Sequence, residues 1–559
     1  MSLYKDQKKN QQTGFSYAQA LQNYHDKTDF PAFNKPLDEE SLLAEYHPDQ
    51  QHQTMTKLQI GANTGEACHQ QIADLLQANA RIEASDLAAA NIEETDILII
   101  GGGGAGCAAA LMADRAGAKV ILATKLRLGD SNTVMAEGGI QASVEKDDTP
   151  QAHFNDTYKA GHQEAEKELL KQLVLDGPET IDWLIQQGMQ FDLDNAGDLL
   201  TRQAGGTTAN RVVFFRDYTG LEMMRVLREA VVNSSVEVKD YSPAIELLSN
   251  ESGQCAGAML SLLKENRLVQ IKARAVIIAT GGIGRLHINQ FPTSNHFGAT
   301  GDGLVLAYRL GAKLRDLDSF QYHPTGIAYP QHLSGTLITE GLRSSGAYII
   351  NALGERFIDE LKPRDVVAAA IIKECREGRG IHRALDDDES LKGVWLDTPG
   401  LEARKPGILK KRFPKLVQLG LKSNIDICQT PMLVYPTLHY QNGGVVIDTN
   451  GLSSVPGLYC VGEVSGGIHG RNRLMGNALL DVISFGRRAG YHAANKGQGM
   501  REQQYVGIEH VEKFRRELIQ HKQSAKIKTP LLFPEYALYD TPHYLKSEPN
   551  SDLKSDEKT

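Results

Sequence analysis

The chain has 559 residues, 41% of them hydrophobic, which is too long for one ordinary core and implies roughly two to four domains. Its 69 acidic and 60 basic residues leave a formal net charge of -9 with no basic stripe, which excludes a nucleic-acid binder. The six cysteines (Cys68, Cys107, Cys255, Cys375, Cys428 and Cys460) form no CxxC pair, so neither a zinc site nor a cysteine-ligated iron–sulfur cluster is encoded and no metal site is expected.

Residues 1–93 are polar and Gln-rich, with apolar spacing only locally, as at Ile72, Leu75, Leu76 and Ile82. They are expected to form an extended arm with short helices that serves assembly, or else a disordered tail. Met1–Asn10 lacks the apolar stretch of a secretory leader, and no apolar run reaches the roughly 20 residues of a bilayer span. A cytoplasmic location is expected, with any membrane association made through a partner subunit.

At Asp96 the texture changes. Asp96-Ile-Leu-Ile-Ile100 reads as a buried parallel strand, Gly101-Gly-Gly-Gly-Ala-Gly106 as a turn, Ala108–Ala118 as a small-residue helix and Val120-Ile-Leu-Ala123 as a second strand. Gly101, Gly103 and Gly106 satisfy GxGxxG. The first makes the tight turn, the second lets backbone approach a pyrophosphate, and the third lets the helix pack on the strand. The acidic residue that would hold a ribose after the second strand is missing, since Thr124 and Lys125 stand there. A third apolar run, Ala275-Val-Ile-Ile-Ala-Thr-Gly-Gly282, ends in glycines. A fourth, Gly457-Leu-Tyr-Cys-Val-Gly-Glu463, precedes a helix expected over 477–495 and offers Glu463 as a ribose acceptor. Lys546–Thr559 reads as a solvated tail.

Further motifs follow in a fixed order: Ser131-Asn-Thr-Val-Met-Ala-Glu-Gly-Gly139, Thr300-Gly-Asp-Gly303, Gln321-Tyr-His-Pro-Thr-Gly326, Thr339-Glu-Gly-Leu-Arg343, Pro363-Arg-Asp-Val-Val367, His439-Tyr-Gln-Asn-Gly-Gly444 and His469-Gly-Arg-Asn-Arg-Leu474. With this set, residues 94–495 resemble the flavoprotein subunits of fumarate reductase and succinate dehydrogenase, a family that includes L-aspartate oxidase. The resemblance implies an α/β fold: a two-part, Rossmann-like FAD-binding domain at 94–323 and 437–495, interrupted by an α+β capping domain at 324–436. The arm at 1–93 precedes it, and a short helical segment with a polar tail, 496–559, follows. It places FAD against Gly101, Gly103, Gly104, Ala105, Gly106, Thr124, Lys125, Ser131, Asn132, Thr133, Ala136, Gly138, Gly139, Asp302, Glu463, Ala478 and Leu479. Members with covalent FAD carry a histidine where Asn132 stands, so noncovalent FAD is expected, which disfavours succinate oxidation. Ala478 replaces a serine that many members have.

The same resemblance assigns a dicarboxylate to His323, Thr339, His439 and Arg473, groups able to donate to its carboxylates. It assigns the proton donor to Arg364, with Glu340 and Arg343 as the relay. The expected reaction interconverts fumarate and succinate, or a close dicarboxylate, by hydride transfer at flavin N5, with fumarate reduction favoured. Electrons are expected from an iron–sulfur subunit or a soluble donor. Two alternatives stand beside it: an L-aspartate oxidase, and a flavin-bearing interaction subunit without turnover. Two departures fall in the cap. The loop between His323 and Thr339 is long, and Arg343 is followed by Ser-Ser-Gly-Ala.

Overall fold

The computed structural model describes residues 14–27, 29–50, 54–385, 388–497, 505–523 and 527–534. The start of the arm and the solvated tail expected at 546–559 lie outside them.

The strand Asn91–Ile100 is the centre of the main sheet, with Val120–Ala123 and Arg267–Ile278 parallel on its two sides. Glu237–Lys239 extends the sheet beyond Val120–Ala123. Arg267–Ile278 changes partner along its length. Its first half pairs with antiparallel Cys255–Leu262, and its last residues pair with parallel Leu458–Cys460. The central strand begins five residues before the apolar run, because Asn91–Thr95 still pair with Val269–Ala273 although several are exposed. Hydrogen bonding extends the strand where side-chain burial does not. Ile97 to Ile100 are buried on both faces, and each such side chain stabilises the fold by about 1.5–3 kcal/mol.

The helix after the glycine turn runs Gly104–Arg115 rather than 108–118 and stops before Gly117, whose φ of 84° breaks the helical path. The helix Asn477–Gly497 lies directly on it. A Cβ at Gly486 or Gly490 would meet the carbonyl oxygens of Ala105 and Ala109 at 2.6 and 2.1 Å, so small residues on both helices permit a close approach.

Two antiparallel strands, Phe320–Ile327 and Met432–Gln441, lead out of this core into a second one. Phe320, Tyr322 and Leu438 belong to the main core, whereas Ile327 and Val434 belong to the second. There they join a sheet with Ile349–Ile350, Ile381–Leu385 and Asp388–Leu396, covered by the helix Arg364–Arg376.

The arm is part of both cores. Phe15–Ser16 adds an edge strand beside Ile381–His382, and Leu42 and Tyr46 sit in the second core. Leu58, Ile60, Cys68, Ile72, Leu75 and Leu76 are buried in the main core. The polar average over the arm hides apolar positions that are buried among its described residues. Among the described residues no helix is long and apolar enough to cross a membrane.

Candidate active site

A cavity of about 750 Å³ opens where the parallel strands end. Ile100, Ala123, Ile278 and Cys460 are the last residues of four of them. The turns that follow (Gly101–Ala105, Thr124–Leu126, Ala279–Gly281, Val461–Glu463) all line the cavity, as expected at the carboxyl edge of an open α/β sheet. All the residues expected to hold FAD line it except Gly106. Gly106 lies beneath the turn, where a Cβ would come 1.8 Å from Gly101 O, so its role is the packing of helix on strand.

The fit to a dinucleotide rests on three features. Gly103 caps the Gly104–Arg115 helix without any side-chain cap, so the first N–H groups of that helix are left for an anion, with only Gly104 N donating to Thr133 Oγ1 at 3.2 Å. Gly281, at φ 75°, would place a Cβ in open cavity with nothing within 4 Å. Lys125 Nζ bonds Asp302 Oδ2 at 2.7 Å, which brings a carboxylate to the end of the second strand where the sequence has none. Asn132 is saturated by protein. Its Nδ2 donates to Asn295 Oδ1 at 2.7 Å and Glu463 Oε2 at 3.1 Å, and its Oδ1 accepts from His296 N at 2.6 Å.

The other end of the cavity is cationic. His323 and His439 come from the two connecting strands, their rings 5.2 Å apart, although His323 pairs across the strands with Thr437. His323 Nδ1 accepts from Thr325 N at 3.3 Å, which assigns its proton to Nε2. His439 Nδ1 lies 2.7 Å from Ser294 Oγ. Burial, and then Arg364 and its cationic neighbours, hold His323 far below the ordinary imidazole value; burial and Arg473 do the same to His439. Both rings are therefore neutral near pH 7.

Arg364, first residue of its helix, donates through Nε to Glu340 Oε2 at 2.8 Å and through Nη1 to Gln321 Oε1 at 2.9 Å, which leaves Nη2 for the cavity. Arg343 Nη2 reaches the same Glu340 oxygen at 3.2 Å. Glu340 and Arg343 sit at the start and within the short helix Gly341–Ser344, so three residues of spacing become one turn. Burial pushes the Glu340 carboxyl up, but Arg364 and Arg343 outweigh it and hold it at about 2. Arg343 does not line the cavity; it stands one layer behind Glu340.

Arg473 is buried over the Tyr440 ring, 4.5 Å from its centroid, and its Nε has no partner. Burial, then Arg364 beside it, pull it down to about 9. Among the described residues no carboxylate pairs with it, while each carboxylate lining the cavity is engaged. Asp130 pairs with Arg127, Glu137 with Lys415, Asp302 with Lys125, Glu340 with two arginines, and Glu463 takes Asn132 and Gln441 N. A buried cation without a counter-charge is costly, so the site is built for an anion.

The structure adds residues that sequence reasoning passes over. Gln321 positions Arg364, Ser294 sets the His439 ring, Asn295 braces Asn132, and Lys415 on the cap meets Glu137 at 2.7 Å. Gln321 lies inside a family motif, the one signal available; the others are brought in only by folding.

The FAD binding domain family model matches residues 96–479. A fumarate reductase (CoM/CoB) subunit of Methanothermobacter marburgensis is 38% identical over 412 residues, 72% of this chain and 72% of that protein. L-aspartate oxidase of Streptomyces coelicolor is 34% identical over 406 residues, 70% of this chain and 67% of that one. Among solved structures, a variant of the E. coli quinol fumarate reductase protein FrdA superposes with a TM-score of 0.68 at 31% identity, covering 77% of this chain and 74% of the other.

Proposed function

Since the chain belongs to the FAD binding domain family, as an FAD-dependent oxidoreductase of the fumarate reductase, succinate dehydrogenase and L-aspartate oxidase group, we propose that it interconverts fumarate and succinate, or a close dicarboxylate, and favours reduction. The observation that carries this reading is the buried Arg473, without a carboxylate partner among the described residues and beside Arg364, in a pocket whose carboxylates are all engaged. One substrate carboxylate compensates Arg473. The other is received by His323 Nε2–H, with Thr339 and His439 beside it.

FAD, held by the glycine turn at Gly101–Ala105, Lys125, Asp302 and Glu463, would supply the hydride for one carbon of the double bond when bound and reduced. Arg364 gives the proton to the neighbouring carbon. A guanidinium is a poor acid in water, but here it stabilises the charge that develops on the substrate and is re-supplied through Glu340 from Arg343. The neutral histidines bind without adding charge that would compete with Arg364 for the substrate. FAD is held noncovalently, because the amide of Asn132 cannot form the histidyl bond. Electrons arrive from an iron–sulfur subunit or a soluble donor, in keeping with the names of several relatives as subunits of larger enzymes.

Oxidation of L-aspartate is the second reading, favoured by the relative named for it. It would ask the pocket to hold an ammonium group, and no lining carboxylate is unengaged. The test is turnover of purified protein with fumarate and reduced viologen, beside succinate with an acceptor dye and aspartate with oxygen. Fumarate turnover is expected to be fastest. Turnover of aspartate alone would reverse the assignment.

A further inference from the structure

In dinucleotide folds an acid after the second strand marks the adenosine half of the ligand. Here the strand Val120–Ala123 ends in Thr124 and Lys125, and the carboxylate comes from Asp302 instead. This Lys125–Asp302 pair is also met by residues from far along the chain. Leu532 N donates to Asp302 Oδ1 at 3.2 Å. The Phe533 ring lies 5.8 Å from Lys125 Nζ and 6.0 Å from the Phe297 ring.

The path of this segment is anchored. Lys528–Thr529 pairs in parallel with Asn79–Ala80 of the arm. Arg309, fully buried and ion-paired with Glu246, donates through Nη2 to Thr529 O at 3.0 Å and Thr529 Oγ1 at 2.9 Å. Arg81 donates to the carbonyl of Pro530. Nothing in these contacts serves the substrate end.

We propose that residues 527–534 belong to the cofactor site as a strap that braces the wall of its adenosine end. Leu532 and Phe533 are positioning residues. The amide of Leu532 adds a bond to Asp302, which Thr300 Oγ1 and Lys125 Nζ also hold, and the ring of Phe533 packs against Lys125, whose Nζ bonds Gly298 O, Thr300 Oγ1 and Asp302 Oδ2, so the strap braces the pair that lines the cavity. The strap acts on retention of FAD rather than on turnover.

The test is the rate at which full-length holoprotein releases FAD on dilution, read as recovery of free-flavin fluorescence, beside the unfolding midpoint of the same samples. Phe533→Ala is expected to speed release about tenfold, the scale of one lost aromatic and cation–π contact, with the midpoint lowered by no more than the weaker flavin binding accounts for. Phe533→Tyr should restore most of the parental rate. Phe297→Ala should act through the same contact, so the double variant should release little faster than the quicker single variant. Release from Phe533→Ala at the parental rate overturns the proposal. So does faster release with a fall in midpoint larger than weaker flavin binding accounts for, without recovery in Phe533→Tyr.

Discussion

The two ends of the cavity are built in opposite ways. The cofactor end is built around one local structure, in which strand, glycine turn and helix follow one another between Asn91 and Arg115 and backbone geometry shapes the turn. The substrate end gathers single side chains from separate segments across two cores: His323 and His439 from the connecting strands, Glu340 and Arg343 from a one-turn helix, Arg364 from the cap helix, and Arg473 from the loop before the long helix. At Gly101 and Gly106 the first has no room for a Cβ, which would meet Ala279 O at 2.3 Å and Gly101 O at 1.8 Å. The second turns on charge, with the buried Arg473 beside Arg364.

The largest expected effect tests the charge side. Arg364→Ala should retain FAD, seen in its absorbance, while fumarate turnover falls by roughly 10⁴-fold or more, since it removes both a general acid and a charge stabiliser. Arg364→Lys should recover a small part, because lysine keeps the charge but not the planar fork. If Arg364→Ala kept more than about a tenth of parental turnover, less than general acid catalysis supplies, Arg364 would not be the acid.

Gly106→Ala tests the volume side. A Cβ 1.8 Å from Gly101 O forces the turn off the helix, an overpacking cost of about 3 kcal/mol, and should lower both the unfolding midpoint and flavin content. A variant that keeps parental flavin content and midpoint would show that the turn has slack.

Two glutamates in the same cavity sharpen the comparison through pH. Glu340, held at about 2 against an ordinary 4.5, contributes stability that is full above pH 4.5 and is lost as pH falls toward 2. Burial raises Glu137 to about 7 despite Lys415, so its contribution is full below pH 4.5 and declines as pH rises toward 7. Each shift corresponds to about 3 kcal/mol as an order of magnitude. Glu340→Gln should therefore destabilise at pH 7 and lose that effect in acid. Glu137→Gln should stabilise at pH 8 and be neutral near pH 4.5. Chemical unfolding across this range checks both, and equal pH profiles for the two variants would refute the opposed roles.

The smallest effect concerns Asn132. Acid precipitation should leave yellow flavin in the supernatant, and Asn132→Ala, which removes three hydrogen bonds within the protein and leaves the backbone around the site in place, should weaken FAD binding by roughly tenfold. Flavin fluorescence that stays on the denatured polypeptide would show a covalent link.

The sequence by itself determined the parts whose physics is local. Period, glycine placement and strand-end position identify the Gly101–Gly106 turn, and ordered motifs carry the resemblance that singles out His323, Thr339, Glu340, Arg343, Arg364, His439 and Arg473. Only the tertiary structure decided the rest. It made the polar arm a contributor to both cores, because a handful of apolar residues suffices once a partner surface exists. It supplied the missing carboxylate at Lys125 from Asp302, and set Leu532 and Phe533 against the pair. It also left Arg473 buried without a carboxylate partner among the described residues. Burial and pairing depend on which distant segments meet, and in a chain whose site draws on strands and helices far apart in sequence that is fixed by packing, not by spacing.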